Sequence, residues 1–182
     1  MRELVRDRNA LAESLRGAIR QVDDFPSPGI GFKDITPVLA DPYLFGAVVG
    51  ALAADFRDAG VTHVAGIESR GFLLAAPVAL ELGVGIVPVR KVGKLPYLTQ
   101  RVDYALEYGS ATIEMHVDAC GPGDRVLVLD DVLATGGTAA AACELVERLG
   151  ASVAGLGFLM ALDFLAGESR LVGRRVEALV RY

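Results

Sequence analysis

The segment VLVLDDVLATGGT, residues 126–138, decides how this chain is read. Val126, Leu127, Val128 and Leu129 are four consecutive apolar residues without alternation, which predicts a parallel strand buried on both faces. Strands of that kind deliver functional groups at their carboxyl end, where Asp130 and Asp131 stand. Ala134, Thr135, Gly136, Gly137 and Thr138 then form a turn without bulky side chains, ahead of a helix-forming run over 139–149. Backbone N–H groups and two hydroxyls can close there around a phosphate at a helix N-terminus. The carboxylates do not bind phosphate themselves. They accept hydrogen bonds from neighbouring hydroxyls, and a divalent cation can help offset the local charge. A ribose 5-phosphate satisfies both halves of the segment.

Two rival phosphate motifs fail on inspection. No GxGxxG opens a helix, and Gly93-Lys94 is followed by Leu95, with Pro88 where the first Walker glycine belongs.

The whole chain sets wider bounds. Its 182 residues, 52% of them hydrophobic, suffice for one substantial core with appendages. No run of eighteen apolar residues occurs, and the charged start MRELVRDRN leads into no apolar signal core, so a soluble, cytoplasmic protein without a membrane partner is expected. Cys120 and Cys143 lack metal-ligand spacing, and His63 and His116 lack catalytic partners at informative spacing, so no protein-built metal site is expected. A net charge of −5 argues against nucleic acid as a partner. Its distribution says more: no acid lies between Glu81 and Asp103, while Arg90, Lys91, Lys94 and Arg101 do. That is a local cationic loop suited to a small polyanion.

Along the chain, Leu4, Leu11, Leu15 and Ile19 recur at helical spacing and predict a helix ending near Arg20. The Pro- and Gly-dense segment DDFPSPGIGFKDITP is expected to be irregular. Asp41-Pro42 signals a helix start and Gly60 its end. From there strands are expected over 63–67, 85–89, 111–116, 125–129 and 152–162, with helices over 72–82 and 139–149 and the basic loop after Val89. The alternation indicates an α/β fold with a mainly parallel central sheet flanked by helices. The tail over 165–182 reads as one more strand or a docked extension. The expected organisation is a single domain over 1–182: an N-terminal helix and hood to residue 40, a core over 41–165 and a C-terminal extension over 166–182. In such sheets ligands lie outside the carboxyl ends of strands, so the loops after Ile67, Val89 and Leu129 should converge.

After Ile67 comes Glu68-Ser69-Arg70-Gly71, small residues with one arginine at a helix N-terminus, again an anion site. A diphosphate and a 5-phosphate on one sugar need such a pair of sites.

Together these segments resemble the type I phosphoribosyltransferases. The 126–138 stretch is similar to their phosphoribosyl pyrophosphate (PRPP) motif, in which the acids hold the ribose hydroxyls and the loop holds the 5-phosphate. The stretch Glu68, Ser69, Arg70 and Gly71 matches their pyrophosphate loop. The segment RKVGKLPYLTQRVDYALEYGSATIE, residues 90–114, looks like the flexible catalytic loop of the adenine phosphoribosyltransferases, with GKLP, a threonine and LEYG in order. A long loop of this kind can act as a lid that excludes water where hydrolysis would compete, and Lys91 and Lys94 would bring charge over the pyrophosphate on closure.

Residues 25–37 match the family's hood over adenine, which implies that Ile30, Gly31, Phe32 and Lys33 line the base, with Leu133 on its other face. The sequence departs from the family pattern at Lys33, where arginine is common, and at Gly31, where an apolar side chain is common.

The resemblance implies the type I phosphoribosyltransferase fold with a small N-terminal hood and transfer from PRPP to adenine, giving AMP and diphosphate. Mg²⁺ is implied as cofactor, carried on diphosphate and ribose oxygens with few protein ligands. It also implies a homodimer. Glu107 matches the family's glutamate that assists displacement at ribose C1, as proton acceptor or electrostatic partner of a cationic transition state, with Tyr108 beside it. Two other readings are a transferase for xanthine, guanine or hypoxanthine, and a non-catalytic PRPP-binding regulator. The hood and LEYG favour adenine, and the chain has neither a basic surface nor an added domain for regulation.

Overall fold

In a computed structural model of the chain, residues 5, 7–105 and 109–182 are described. Two compact units emerge, Met1–Ala51 and Leu52–Tyr182.

In the first unit Asp7 starts a helix by accepting hydrogen bonds from the N–H groups of Asn9 (3.1 Å) and Ala10 (3.0 Å). Helix α1 covers Arg8–Ala18. Leu11 and Leu15, four apart on one face, are fully buried, as the spacing predicts; Leu4 lies outside the described residues. Part of the segment expected to be irregular is regular. Phe32–Asp34 (β2) pairs antiparallel with Arg20–Val22 (β1), with Val22 opposite Phe32 and Arg20 opposite Asp34. The Pro- and Gly-rich chain between them supplies the reversal, with Asp24 and Gly29 at positive φ, and a three-residue ribbon needs no longer sequence pattern. A short helix α2, Thr36–Ala40, follows. Asp41 caps the next helix through the N–H groups of Tyr43 (2.8 Å) and Leu44 (3.1 Å), and α3 spans Pro42–Phe56, its residues from Leu52 onward counted in the second unit, and ends before the Gly60 that marks its end in sequence.

The second unit holds the sheet. Its elements are β3 (His63–Ile67), α4 (Gly71–Leu82), β4 (Gly85–Lys91), β5 (Thr99–Ala105), β6 (Ser110–His116), β7 (Arg125–Leu133), α5 (Gly137–Arg148), β8 (Ser152–Ala161) and β9 (Val176–Arg181). Two short 3₁₀ turns, Asp163–Leu165 and Gly167–Arg170, join the last two strands. The strand order is β5-β6-β4-β3-β7-β8-β9, with five parallel strands and an antiparallel hairpin, β5–β6, on one edge. This is the expected α/β architecture. The tail supplies β9, parallel to β8, which resolves the choice left open by the sequence.

Helices cover both faces. Gly66 faces Ala75 and Phe72 of α4, while its neighbours Ala65 and Ile67 join the core with Ala142, Cys143, Leu145 and Val146 of α5. Val126, Leu127, Val128 and Leu129 are all fully buried, each stabilising the fold by roughly 1.5–3 kcal/mol, which is why this run shows no alternation.

The largest differences from the sequence reading concern an added strand and the end of β7, while β4 also runs on to Lys91. The stretch after Val89, read as one long basic loop, contains the seven-residue strand β5. Val102 is buried while Arg101 and Asp103 on either side are exposed, so period two was present but masked by charge. Strand β7 runs on to Leu133, paired with β8 through Leu133 opposite Ala161. Asp130 and Asp131 are therefore residues within the strand, held by ladder register, rather than loop residues after it.

Candidate functional site

The site is built at the carboxyl ends of β3 and β7, neighbours in the sheet. From β3 the chain passes through Glu68, Ser69 and Arg70 into α4, whose first residue, Gly71, is buried. The peptide between Glu68 and Ser69 is cis, and Ser69 is exposed. The Glu68 carboxylate accepts hydrogen bonds from Arg90 Nε (3.1 Å) and the Lys91 N–H (3.2 Å). Burial alone would raise its pKa, but these bonds and the Arg90 and Lys94 charges hold it below the ordinary glutamate value.

Asp131 is almost wholly buried, and its Oδ2 forms an ion pair with Arg70 Nε at 2.7 Å without hydrogen-bond alignment. Asp130 Oδ1 accepts from the Asp131 N–H (2.9 Å). Burial first, and then the adjacent Asp131 charge, push the Asp130 carboxyl well above the ordinary aspartate range. The pair is therefore costly to charge fully without an added cation or hydroxyl donors. Gly71 sits so close that a Cβ there would lie 2.9 Å from Asp130 Oδ1 and from the Leu129 carbonyl oxygen. The close approach of the two loops thus depends on glycine.

Beyond the acids, residues 134–138 turn into α5, with Gly136 at φ 78° and Gly137 opening the helix. The turn Gly167–Arg170 packs on this loop from outside. A Cβ on Gly136 would collide with the Gly167 carbonyl, and one on Gly167 with the Ala134 carbonyl. A cavity of about 140 Å³ is lined by Asp130 and residues 132–139, so the whole small-residue loop faces one space. A second cavity, about 340 Å³, is lined by Leu133, Ala161, Asp163, Glu168 and Arg181 among others. Leu133 borders both cavities, the smaller on one side and the larger on the other.

Of the site residues expected from sequence, Glu68, Arg70, Gly71, Asp130, Asp131 and residues 134–138 meet around the ends of β3 and β7. Lys91 joins them through its N–H, and the side chains of Lys91 and Lys94 are exposed on the turn beside Glu68. Ile30, Gly31, Phe32 and Lys33 belong to the first unit, where Phe32 meets Phe25 edge to face with centroids 5.1 Å apart and Ile30 is half exposed. Glu107 and Tyr108 lie outside the described residues. Two residues stand outside the expected site set: Arg90, read only as part of the cationic loop, which links Glu68 to the Lys94 carbonyl (3.0 Å), and Glu114, buried beneath the same turn. Arg90 carried a signal as one of four cations in an acid-free stretch, whereas a lone glutamate on β6 carried none.

Among the described residues no group of three or more His, Cys, Asp or Glu could hold a metal ion. Asp130 and Asp131 offer two adjacent carboxylates, one already facing Arg70. That donor set suits a hard cation that takes most of its ligands from a bound molecule and water.

Comparison with known proteins shows the family. The phosphoribosyl transferase domain model matches residues 39–171. A protein of Acidothermus cellulolyticus named adenine phosphoribosyltransferase is 59% identical over 171 residues, covering 94% of this chain and 97% of its own. The crystal structure of adenine phosphoribosyltransferase from Rhodothermus marinus superposes with a TM-score of 0.92 at 52% identity, covering 96% and 99% of the two chains. The Saccharomyces cerevisiae enzyme, solved with an imino-altritol bisphosphate and adenine, gives a TM-score of 0.89 at 42% identity, covering 94% and 99%.

Proposed function

This chain belongs to the adenine phosphoribosyltransferase family, and from that premise we propose that it transfers the 5-phosphoribosyl group of PRPP to adenine in purine salvage, releasing AMP and diphosphate. The observation that carries the assignment of its parts is the meeting of two anion loops around an acid pair, with Arg70 of one loop 2.7 Å from Asp131 beside the other.

In this reading residues 134–138 hold the 5-phosphate on backbone N–H groups and on the hydroxyls of Thr135 and Thr138, at the N-terminus of α5. Asp130 and Asp131 accept hydrogen bonds from the ribose hydroxyls, and Ser69, Arg70 and Gly71 hold the diphosphate. The resemblance assigns Leu133 to one face of the base and Ile30, Gly31, Phe32 and Lys33 to its hood. Leu133 borders both cavities, which suits a ligand with a phosphate on one side and a flat apolar ring on the other. Mg²⁺ is the proposed cofactor; Asp130 and Asp131 would help hold it, and it would supply positive charge to offset that of the diphosphate. Lys91 and Lys94 add positive charge above the same group. Glu107, with Tyr108 beside it, stabilises positive charge at ribose C1 or accepts the purine proton.

A homodimer is proposed from the resemblance, supported by Leu73 and Leu80, seven residues apart on α4 and 50% and 83% exposed. No helix among the described residues is long and apolar enough to cross a membrane. A cytoplasmic location follows from the substrate, since a polyanionic sugar does not cross a bilayer unaided.

The test is diphosphate release from PRPP with Mg²⁺, comparing adenine, guanine, hypoxanthine and xanthine, with Glu107→Ala run beside the parent. Turnover with adenine alone, lost in the variant, is expected. Turnover with a 6-oxopurine discards the hood assignment, and PRPP binding without turnover on any base overturns the enzymatic reading in favour of a regulator.

A further inference from the structure

Glu114 lies on β6 with no exposed surface, beneath a turn whose own residues Gly93 and Lys94 are exposed. Its Oε1 accepts hydrogen bonds from three consecutive backbone N–H groups, those of Gly93 (2.9 Å), Lys94 (3.1 Å) and Leu95 (3.2 Å). Its Oε2 accepts from Thr99 Oγ1 (3.1 Å) and Arg101 Nε (3.1 Å). Five donors thus converge on one buried carboxylate, and all five come from the segment that leads into and forms β5. A buried charge needs such compensation, and a mere turn does not need a buried charge.

The second half of the arrangement lies at Lys94. Its N–H is held by Glu114, and its carbonyl accepts from Arg90 Nη1 (3.0 Å). Arg90 Nε donates in turn to Glu68, the first residue of the Glu68–Gly71 loop. Both peptide groups of Lys94 are therefore fixed by charged side chains, one buried in the sheet and one anchored at the candidate diphosphate loop. The turn itself depends on Gly93, whose φ of 82° suits glycine.

We propose that Glu114 is a positioning residue of the transferase, which folds the 93–95 turn so that Lys94 is placed for the leaving diphosphate. This rests on the transferase reading above. Glu114 touches no substrate and acts only through the backbone of Lys94. Arg101 matches its charge from the outer side, so the turn is held by a neutralised cluster rather than by a lone acid.

The test combines Glu114→Gln, Glu114→Ala, Lys94→Ala and the double variant Glu114→Gln/Lys94→Ala, with kcat, both KM values and thermal midpoint measured for each. Glu114→Gln keeps one acceptor oxygen for the three N–H groups but turns an amide N–H toward Arg101, so it should fold even where Glu114→Ala does not. Misplacing a charged group by about 1 Å costs on the order of 100-fold, so kcat should fall roughly 10- to 100-fold in Glu114→Ala, and less in Glu114→Gln. The KM for adenine should stay within about 2-fold, the scatter expected of an uncoupled site. Once Lys94→Ala is present, Glu114→Gln should lower kcat by less than about 2-fold further. A Glu114→Gln protein with the parent's kcat and PRPP KM, or a double variant whose losses simply multiply, would sink the proposal. Absence of turnover in the parent would overturn the transferase reading itself and this proposal with it.

Discussion

Arg70 Nε and Asp131 Oδ2 stand 2.7 Å apart, joining the loop after β3 to the end of β7. The arginine side chain is about a third exposed and the aspartate almost wholly buried, so one cation both offsets a buried acid and faces the space where a diphosphate would arrive. The two roles compete for the same guanidinium, and a bound ligand with its own cation relieves the competition.

Arg70→Ala should therefore weaken PRPP binding and leave Asp131 less compensated. Hydrogen bonds between charged groups contribute about 1.5–3 kcal/mol, so the PRPP KM should rise at least tenfold. The thermal midpoint of the ligand-free protein should also fall, by an amount equivalent to about 1 kcal/mol because the arginine is partly solvated. Arg70→Lys should restore part of the stability and less of the binding, since an ammonium lacks the planar fork. Steady-state kinetics with varied PRPP decide the matter, and an unchanged KM in Arg70→Ala would remove Arg70 from the proposed diphosphate site.

Asp130→Asn should stabilise the ligand-free protein while abolishing PRPP use. Burial and the charge of Asp131 raise the Asp130 pKa in the folded state, with Arg70 opposing. The folded protein then holds a proton that the unfolded chain has released, so stability falls as pH climbs from the ordinary carboxyl range, near 4, through the raised folded value. Asparagine keeps the Oδ1 acceptor for the Asp131 N–H and carries no charge to lose. The variant should match the parent in acid and exceed it by about 1 kcal/mol near neutral pH, the usual scale of relief at a functional site. Thermal midpoints of both proteins from pH 4 to 8 give the result, and a gap that does not widen with pH would count against the raised pKa.

Gly71→Ala should disturb Asp130 and Asp131, the proposed ribose-binding acids, from across the loop boundary. Its Cβ would meet Asp130 Oδ1 and the Leu129 carbonyl oxygen at 2.9 Å and the Asp130 Cα at 3.2 Å, and two of these three atoms are backbone, so no rotamer change relieves the clash. Overpacking of this kind costs about 1–3 kcal/mol. The PRPP KM should rise with little change in adenine KM at saturating PRPP. A control is Gly83→Ala, where nothing lies within 4 Å of the added atom and only the positive φ opposes it. Equal kinetic effects of the two substitutions would show that Gly71 has no particular link to Asp130.

Much of this site was legible because its chemistry is local. Asp130, Asp131 and residues 134–138 are contiguous, and a buried strand followed by small residues and a helix is a pattern written in adjacent positions. The tail's β9 and the hairpin strand β5 were harder. Val102 alternates with Arg101 and Asp103, but the charges dominated a reading based on composition. The β1–β2 ribbon was hidden for another reason: three residues pairing with three others some twelve positions away leave no periodic trace.

By itself, then, the sequence determined the alternation of β3, β4, β7 and β8 with their helices and the small-residue loops after β3 and β7, because hydrophobic runs and turns act over neighbouring residues. Only the tertiary structure decided that Arg70 faces Asp131 and that Gly71 abuts Asp130. It alone also placed Glu114 under a turn formed 19 to 21 residues earlier in the chain. Those contacts depend on which strands become neighbours and in what register, and register is a property of the assembled sheet rather than of any one segment.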